Sequence, residues 1–293
     1  GTLPTRWRGF DEGLWQHIEA EARARAEAGM ASLRPAFFGA DLDPAALHAA
    51  VANADRAGLV DKYRSHAIDT SVIEEVDYVW GGQSYAELTG HSGHYDWVIA
   101  SHMIEHAPDL VRFLKNCAEI LNDDGVLSLA VPDKRYCFDR FRPNSSLSQV
   151  IDEHLLGRSI SSPGKVADFF LNTVRHGDRV SWSEEIAKDT EFPHIAFIHD
   201  DGRALSEMRK VLSDETYVDV HAWCFTPSSF RLMVQDLYDL GLQPLREVGF
   251  VPTQGCEFFV TLSRNGDGPR FDRLDMLKRI EVELSQFSGV GVW

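Results

Sequence analysis

The chain has 293 residues, of which 44% are hydrophobic and 25% charged, so it can bury a large core and has the composition of a soluble globular protein. Its formal net charge of −16 disfavours nucleic acid as a partner, because affinity for nucleic acid comes largely from cations that neutralise phosphates. The sequence has no apolar run near the ~20 residues of a membrane span and no signal-peptide pattern, so we expect a cytoplasmic protein without membrane contact.

The first eighty residues alternate between helix and strand patterns. A helix near the N terminus is predicted by four apolar residues at helical spacing: Phe10, Leu14, Trp15 and Ile18. The strand AFFGAD, which ends at Asp41, precedes an alanine-rich helix that starts at Asp43-Pro44. The stretch SVIEEVDYVW is predicted to be a further strand.

The centre of the chain carries a strand-helix-strand pattern. The strand YDWVIA is followed by a helix from Asp109 to Leu121 and by a strand from Val126 to Val131. This order indicates right-handed crossovers in a doubly wound, mainly parallel sheet, which is a Rossmann-like α/β fold. Ligands of such sheets bind beyond the carboxyl ends of the strands.

The alternation weakens from about Asn144 to Thr216, where polar helices and loops predict an inserted helical cap. It then returns, because TPSSFRLMVQDLYDLGL predicts a helix, and PLREVGFV and CEFFVTLS predict an antiparallel pair of strands at the sheet edge. We therefore divide the chain into an N-terminal part of the α/β domain (1–143), the cap (144–216), a C-terminal part of the α/β domain (217–264) and a C-terminal helix (265–293).

The C-terminal segment is predicted to form an amphipathic helix. Five apolar residues fall at helical spacing: Leu274, Leu277, Ile280, Leu284 and Phe287. We expect this face to pack on the domain. The alternative is a surface for a partner protein or for self-association.

The stretch His102-Met103-Ile104-Glu105-His106 matches H-x-x-E-H, the spacing of a zinc-peptidase motif. That motif requires a continuous helix, so that both histidines lie on one face. Here an apolar strand precedes the five residues, and Pro108-Asp109 is typical of the start of a new helix. The sequence therefore predicts a strand-to-helix loop, and we expect no metal.

The chain contains three stretches with a shared family pattern: YDWVIASHMIEH, DLVRFLKNCAEILNDDGVLSLAVPDKRY and HAWCFTPSSFRLMVQDLYDLGL. They resemble class I S-adenosylmethionine-dependent methyltransferases, in particular methyltransferase-domain proteins associated with glycan modification, and the resemblance covers residues 62–264. Two other stretches, RWRGFDEGLWQHIEAEARARAEAG and FFGADLDPAALHAAVANADRAGL, lie within residues 1–60 and resemble the large-subunit ribosomal RNA guanine-N2 methyltransferases. Both families share one fold and one cofactor, S-adenosylmethionine.

The resemblance implies a cofactor site at the strand ends. Asp41, at the end of AFFGAD, is placed to accept hydrogen bonds from both ribose hydroxyls. Asp77 and Tyr78 are expected near the adenine. Ser101 and His102 are expected beside the methionine portion and its sulfonium.

Gly1-Thr2 resembles only the tail of the glycine-rich loop that lets backbone approach the cofactor in this fold. We include Gly1 among the cofactor residues on that ground. We also expect the chain as given to bind S-adenosylmethionine weakly or not at all.

Methyl transfer needs alignment of the acceptor with the methyl group, and a base only where the acceptor must lose a proton. The candidates are His221, His106 and Asp133, of which we favour His221 because the pKa of a histidine lies near neutrality. Each of the three has a structural role as its alternative, as a loop or core residue.

These patterns predict a methyltransferase that acts on a small-molecule or glycan acceptor, by O-methylation. A ribosomal RNA relative is a first alternative, but ASHM stands after the strand where those enzymes carry N-P-P-[YF]. A second alternative is a catalytically silent scaffold that binds partners through the cap or the C-terminal helix.

Overall fold

The computed structural model describes residues 80–183 and 194–285, together with Ala20 and Tyr78 as single residues. The chain divides into two units, residues 1–36 and residues 37–293, and every element named below belongs to the second. The predicted helices and strands before residue 78 lie outside the described residues. In the described part, none of the helices combines the length and the apolarity that crossing a membrane requires.

The described residues form seven α-helices and six strands. The helices are α1 Tyr85–Thr89, α2 Leu110–Ile120, α3 Leu147–Leu155, α4 Pro163–Asn172, α5 Asp201–Asp214, α6 Pro227–Asp239 and α7 Arg273–Ser285. The strands are β1 Tyr95–Ser101, β2 Leu121–Pro132, β3 Val174–His176, β4 Ile195–Phe197, β5 Arg246–Gln254 and β6 Glu257–Ser263.

Four of these strands form one mixed sheet in the order β1-β2-β6-β5. Strands β1 and β2 are parallel, with Val98 opposite Leu127 and Ala100 opposite Leu129. Strand β6 runs antiparallel to both β2 and β5. The α/β fold with an antiparallel edge is confirmed. Its parallel part is represented here by β1 and β2, because the other strands predicted for it lie outside the described residues.

Helix α2 forms the crossover between β1 and β2, as predicted. Asp109 is its N-cap and accepts a hydrogen bond from the backbone N of Arg112 at 2.8 Å. Its apolar stripe, Leu110, Leu114 and Cys117, is buried against the sheet side of the core. The crossover places the carboxyl ends of β1 and β2 side by side, which positions the loop after β1 next to Asp133.

Strand β1 is apolar along its length but is buried on one face only. Val98 and Ala100 are buried, whereas Trp97 and Ile99 on the other face are 44% and 45% exposed. The indole Nε1 of Trp97 donates to Ser128 Oγ at 2.8 Å.

In its described residues the predicted cap has three helices, α3, α4 and α5, and the antiparallel ribbon β3–β4, which the sequence did not indicate. Helices α4 and α5 share a small core of their own: Val166, Phe170, Ala204, Val211 and Val220. The boundaries of this segment stay a prediction.

Helix α7 packs on α6, but not through the whole predicted face. Met276 is its buried residue, whereas Leu274 and Leu277 are 61% and 43% exposed. The carboxylate of Glu283 accepts hydrogen bonds from the backbone N and the hydroxyl of Ser228, in the first turn of α6. A carboxylate at a helix N terminus is stabilising there, so polar contacts as well as apolar ones attach the C-terminal helix.

Two chain segments approach each other closely at Gly266. A Cβ at this buried glycine would collide with the backbone carbonyl of Arg246 and lie 2.8 Å from that of Glu247. We expect Gly266→Ala to lower the free energy of unfolding by roughly 1–3 kcal/mol, because backbone at the β5 edge must move. Urea denaturation measures it.

The matched control is Gly164→Ala in the first turn of α4, where an added Cβ meets no atom within 4 Å. We expect that variant to be neutral or slightly stabilising, by up to about 1 kcal/mol. Equal stability of the two variants would contradict the proposed clash.

Candidate active site

The site begins where β1 ends. Ser101 is the last residue of β1, and His102 follows with φ of 50°, a left-handed backbone conformation that is uncommon outside glycine. The short 3₁₀ helix Ile104–His106 comes next, and α2 starts only at Leu110. The prediction of a strand-to-helix loop is confirmed, and the continuous helix of the zinc-peptidase motif is absent.

A second segment lies across this loop. The carbonyl oxygen of Glu105 accepts hydrogen bonds from the backbone N of Ala222 at 2.6 Å and of Trp223 at 3.1 Å. The indole Nε1 of Trp223 donates to the carbonyl of Ala107 at 2.6 Å, and this side chain is 1% exposed. These bonds fix residues 219–223 against the loop, and they bring His221 to it.

Glu105 lies at the centre of a cluster of three histidines. Its side chain is fully buried, at 0% exposure. Its Oε1 lies 3.5 Å from His102 Nδ1 and 3.9 Å from His221 Nε2, and the rings of His106 and His221 meet edge to face at 4.7 Å. Burial raises the pKa of Glu105, and the charges of the three histidines offset this only in part.

His221 is held by a buried carboxylate. Its Nδ1 is hydrogen-bonded to Asp139 Oδ2, and Asp139 also accepts from Arg142 Nη1 at 2.8 Å. Burial by itself raises the pKa of Asp139, but the neighbouring His221 and Arg142 outweigh it, so this pKa lies below its ordinary value. Phe138 packs on the imidazole at 4.5 Å between ring centres. The ring orientation of His221 is therefore fixed from two sides.

The other two histidines are also paired with carboxylates, which are not buried. His106 Nδ1 is joined to Asp219 Oδ1 at 2.7 Å, and His102 Nε2 to Glu257 Oε2 at 2.5 Å. Glu257 stands opposite Pro132 at the end of β2, so the antiparallel edge strand β6 supplies this partner. Each histidine of the cluster thus pairs one ring nitrogen with a carboxylate.

The predicted site residues fall into three groups. His221, His106 and His102 come together in the cluster, and Ser101 lies exposed beside them. Tyr78 is not brought to this place, because its side chain hydrogen-bonds Tyr95 at the opposite end of β1. Three further predicted cofactor residues lie outside the described residues: Gly1, Asp41 and Asp77.

Asp133 has a different environment from the histidines. Its carboxylate is 0% exposed and accepts from Arg135 Nε at 2.9 Å, from Arg135 Nη2 at 2.6 Å and from Thr253 Oγ1 at 2.6 Å. Both oxygens are occupied by protein donors, so the geometry does not favour the predicted catalytic role. It favours a structural one, which joins the end of β2 to β5.

Sequence reasoning missed four carboxylates of the cluster: Glu105, Asp139, Asp219 and Glu257. Glu105 stands within H-x-x-E-H, and its position was visible as part of that motif. No local pattern marks Asp139 or Glu257 as partners of His221 and His102. Their pairing depends on contacts between segments that are distant along the chain.

A cavity of about 410 Å³ lies beside the segment that carries His221. Its lining includes Ala222 and Cys224 from that segment and Glu153 and Lys165 from the predicted cap. Lys165 Nζ lies 3.0 Å from the centre of the Trp223 ring and 3.6 Å from Glu153 Oε1. Burial lowers the pKa of Lys165 to about 8, although Glu153 opposes this.

The lowered pKa of Lys165 predicts a pH-dependent stability. Below pH 8 both the folded and unfolded chains carry the charge, whereas between about pH 8 and 10.4 the unfolded chain binds more protons. The contribution of Lys165 to the free energy of unfolding must therefore rise over this interval, by at most about 3 kcal/mol. We expect the difference between wild type and Lys165→Met to change accordingly in urea denaturation at pH 7.5 to 10.5.

The exposed Lys115→Met serves as the control for general effects of removing a lysine. If the difference in free energy of unfolding between wild type and Lys165→Met stays constant with pH, the pKa of Lys165 is not lowered in the folded chain.

A separate prediction tests the structural role of Asp133. We expect Asp133→Asn to destabilise the fold by about 3 kcal/mol, because it removes the carboxylate from a buried ion pair with Arg135. Urea denaturation measures the change, and the exposed Asp123→Asn should change stability by less than about 0.5 kcal/mol. Unchanged stability together with lost turnover would show instead that Asp133 acts on the substrate.

Part of the chain is similar to known proteins. Residues 24–127 match the model of a methyltransferase-domain family. A stretch of 53 residues is 55% identical to the ribosomal RNA large subunit methyltransferase K/L of Methylococcus capsulatus, which is 18% of this chain and 7% of that protein. The chain therefore spans only a small part of this curated relative.

Solved structures are more distant. The trans-methyltransferase CalH, in complex with SAH, is 16% identical, with 70% of this chain and 39% of that chain covered and a TM-score of 0.29. A protein described as a zinc-dependent alcohol dehydrogenase from Rhodobacter sphaeroides is 13% identical, with 64% and 66% covered and a TM-score of 0.32. Likeness at this level carries no argument about the fold or the activity.

The match to the methyltransferase-domain model includes β1, α2 and the loop that carries Glu105 and His106. His221 lies beyond the matched residues. The predicted resemblance to the class I S-adenosylmethionine-dependent methyltransferases is confirmed, and the family match covers residues 24–127, about a third of the chain.

Proposed function

We propose that this chain transfers a methyl group from S-adenosylmethionine to a hydroxyl of a small-molecule or glycan acceptor. The cofactor supplies an activated methyl group, so the protein has to align the acceptor and deal with its proton. The histidines around Glu105 are suited to handle the acceptor's proton.

The carboxyl end of β1 fits the methionine end of the cofactor. Ser101 and His102 are both exposed there, and the left-handed backbone of His102 turns the chain away from the strand end. Strain of this kind concentrates at binding sites. The space beyond β1 is thus left accessible, at the edge where doubly wound sheets bind ligands.

The observation that carries the proposal is the position of His221. It faces the buried Glu105 from the far side of the loop after β1, and its ring is fixed by Asp139. An oriented histidine next to a cofactor edge is suited to hold a hydroxyl and to promote the loss of its proton. We assign acceptor positioning to His221 and His106.

The hydroxyl acceptor is favoured over a guanine in RNA for two reasons. The net charge of −16 opposes a polyanionic partner, and Ser101-His102-Met103 stands where the RNA enzymes carry N-P-P-[YF]. The short match to a ribosomal RNA methyltransferase keeps RNA methylation as the second candidate.

Transfer of radiolabel from S-adenosylmethionine to a panel of monosaccharides, polysaccharide fragments and simple alcohols tests the proposal. We expect His221→Gln to lower kcat by roughly 10²–10⁴-fold, because a group that handles the acceptor proton is removed. Its affinity for S-adenosylmethionine, measured by calorimetry at cofactor concentrations high enough to detect the weak binding expected of this chain, should equal that of the wild type. The control is His154→Gln, since His154 also pairs with a buried aspartate, Asp109, but lies outside the cluster.

The other outcomes separate the alternatives. Cofactor binding without transfer to any acceptor would support a silent scaffold. Transfer to guanine in ribosomal RNA, and not to hydroxyls, would support the RNA candidate.

The predicted ribose contact of Asp41 can be tested separately. Asp41→Asn should weaken the affinity for S-adenosylmethionine about tenfold or more, since a charge-assisted hydrogen bond contributes roughly 1.5–3 kcal/mol.

A further inference from the structure

We infer that Glu105, His106 and His221 form a binding site for a divalent transition-metal ion, for which zinc is the probe. One carboxylate oxygen of Glu105 and one ring nitrogen of each histidine all lie within 4.8 Å of one another. Zinc bonds nitrogen and oxygen at about 2.0–2.2 Å, so the ligand atoms of one tetrahedral ion lie roughly 3.5 Å apart, and small side-chain rotations would bring these three atoms to that spacing.

The first supporting observation is the state of the Glu105 side chain. It is fully buried, and neither of its oxygens has a hydrogen-bond partner in the described part of the structure. A buried carboxylate without partners is strongly unfavourable in a folded protein. An ion bound between Glu105 and the two histidines removes that cost.

The second observation is the set of carboxylates behind the histidines. Asp139 binds Nδ1 of His221, and Asp219 binds Nδ1 of His106. Metal-binding histidines very often donate their other ring nitrogen to a carboxylate, which fixes the ring and raises its basicity. Both rings are therefore oriented by a carboxylate, as metal-binding histidines usually are. This observation does not depend on the missing hydrogen bonds of Glu105.

Two imidazoles and one carboxylate select the kind of metal. This ligand set suits zinc and other first-row divalent ions, whereas Mg²⁺ and Ca²⁺ prefer oxygen ligands alone. Three protein ligands also leave a coordination position open, as in catalytic metal sites. This consequence rests on the proposed methyl transfer: the ion would hold the acceptor hydroxyl and lower its pKa, so that His221 acts on the acceptor through the ion and the proton passes to water.

This inference departs from the expectation that the chain binds no metal. The zinc-peptidase arrangement of His102 and His106 is absent, because the five residues form no continuous helix. The tertiary structure replaces His102 as a ligand with His221, and the hydrogen bonds from Ala222 and Trp223 to Glu105 bring it there.

Calorimetric titration of zinc chloride into the chelator-treated full chain tests the site without cofactor or acceptor. We expect one equivalent to bind, and Glu105→Gln, His106→Gln and His221→Gln each to lower the affinity at least about a hundredfold. Glu105→Gln should fold well, since it removes a buried charge without partners. Magnesium chloride in place of zinc chloride should give no binding at this site.

Two further variants distinguish the site from an adventitious one. Asp219→Asn changes an exposed side chain, so a purely structural role leaves zinc affinity unchanged, whereas a metal site loses about tenfold or more. His91→Gln disrupts the stacked surface pair His91 and His94 and should leave affinity unchanged.

The inference is overturned if the wild type binds no zinc. It is also overturned if zinc affinity falls in His91→Gln but not in Glu105→Gln and His106→Gln, provided that circular dichroism shows both variants folded. Because these readouts do not involve methyl transfer, failure of the metal site and failure of the proposed function are separate results.

Discussion

The candidate site depends on one carbonyl group, that of Glu105, which accepts hydrogen bonds from the backbone N of Ala222 and of Trp223. A carbonyl oxygen has two lone pairs, so a single loop residue can hold two successive residues of another segment. The buried indole of Trp223 adds a third bond, to Ala107. Residues 217–226 contain no helix or strand, so these bonds, together with those that join Cys224 to Ser145 and Phe225 to Lys134, determine where His221 lies.

Three buried carboxylates near the site have two different kinds of neighbour. Asp133 and Asp139 each face an arginine, Arg135 and Arg142, at hydrogen-bonding distance. Glu105 has no such cation and lies among histidines, whose charge depends on pH. A buried acid with a raised pKa and incompletely satisfied oxygens is typical of a functional position rather than of a structural ion pair.

The predicted cap contacts the residues around His221. It lies in the chain between β2 and the segment that carries His221. Phe169 of α4 packs against His221 at 6.2 Å between ring centres, and Asp168 accepts from Arg142 Nε at 2.8 Å. The orientation of His221 is thus coupled to α4, so substitutions in α4 can alter the position of His221 without touching the end of β1.

The sequence by itself determined the elements and the end of the sheet at which the site lies. The alternation of apolar runs and helical spacing fixed β1, α2 and β2, and Pro108-Asp109 identified the loop after β1, because these signals are local. Only the tertiary structure decided that Asp133 faces Arg135, that Tyr78 pairs with Tyr95 and that Asp139 supports His221. Such pairings join segments that are distant along the chain or depend on how completely a side chain is buried. Periodicity and motif spacing carry no information on either.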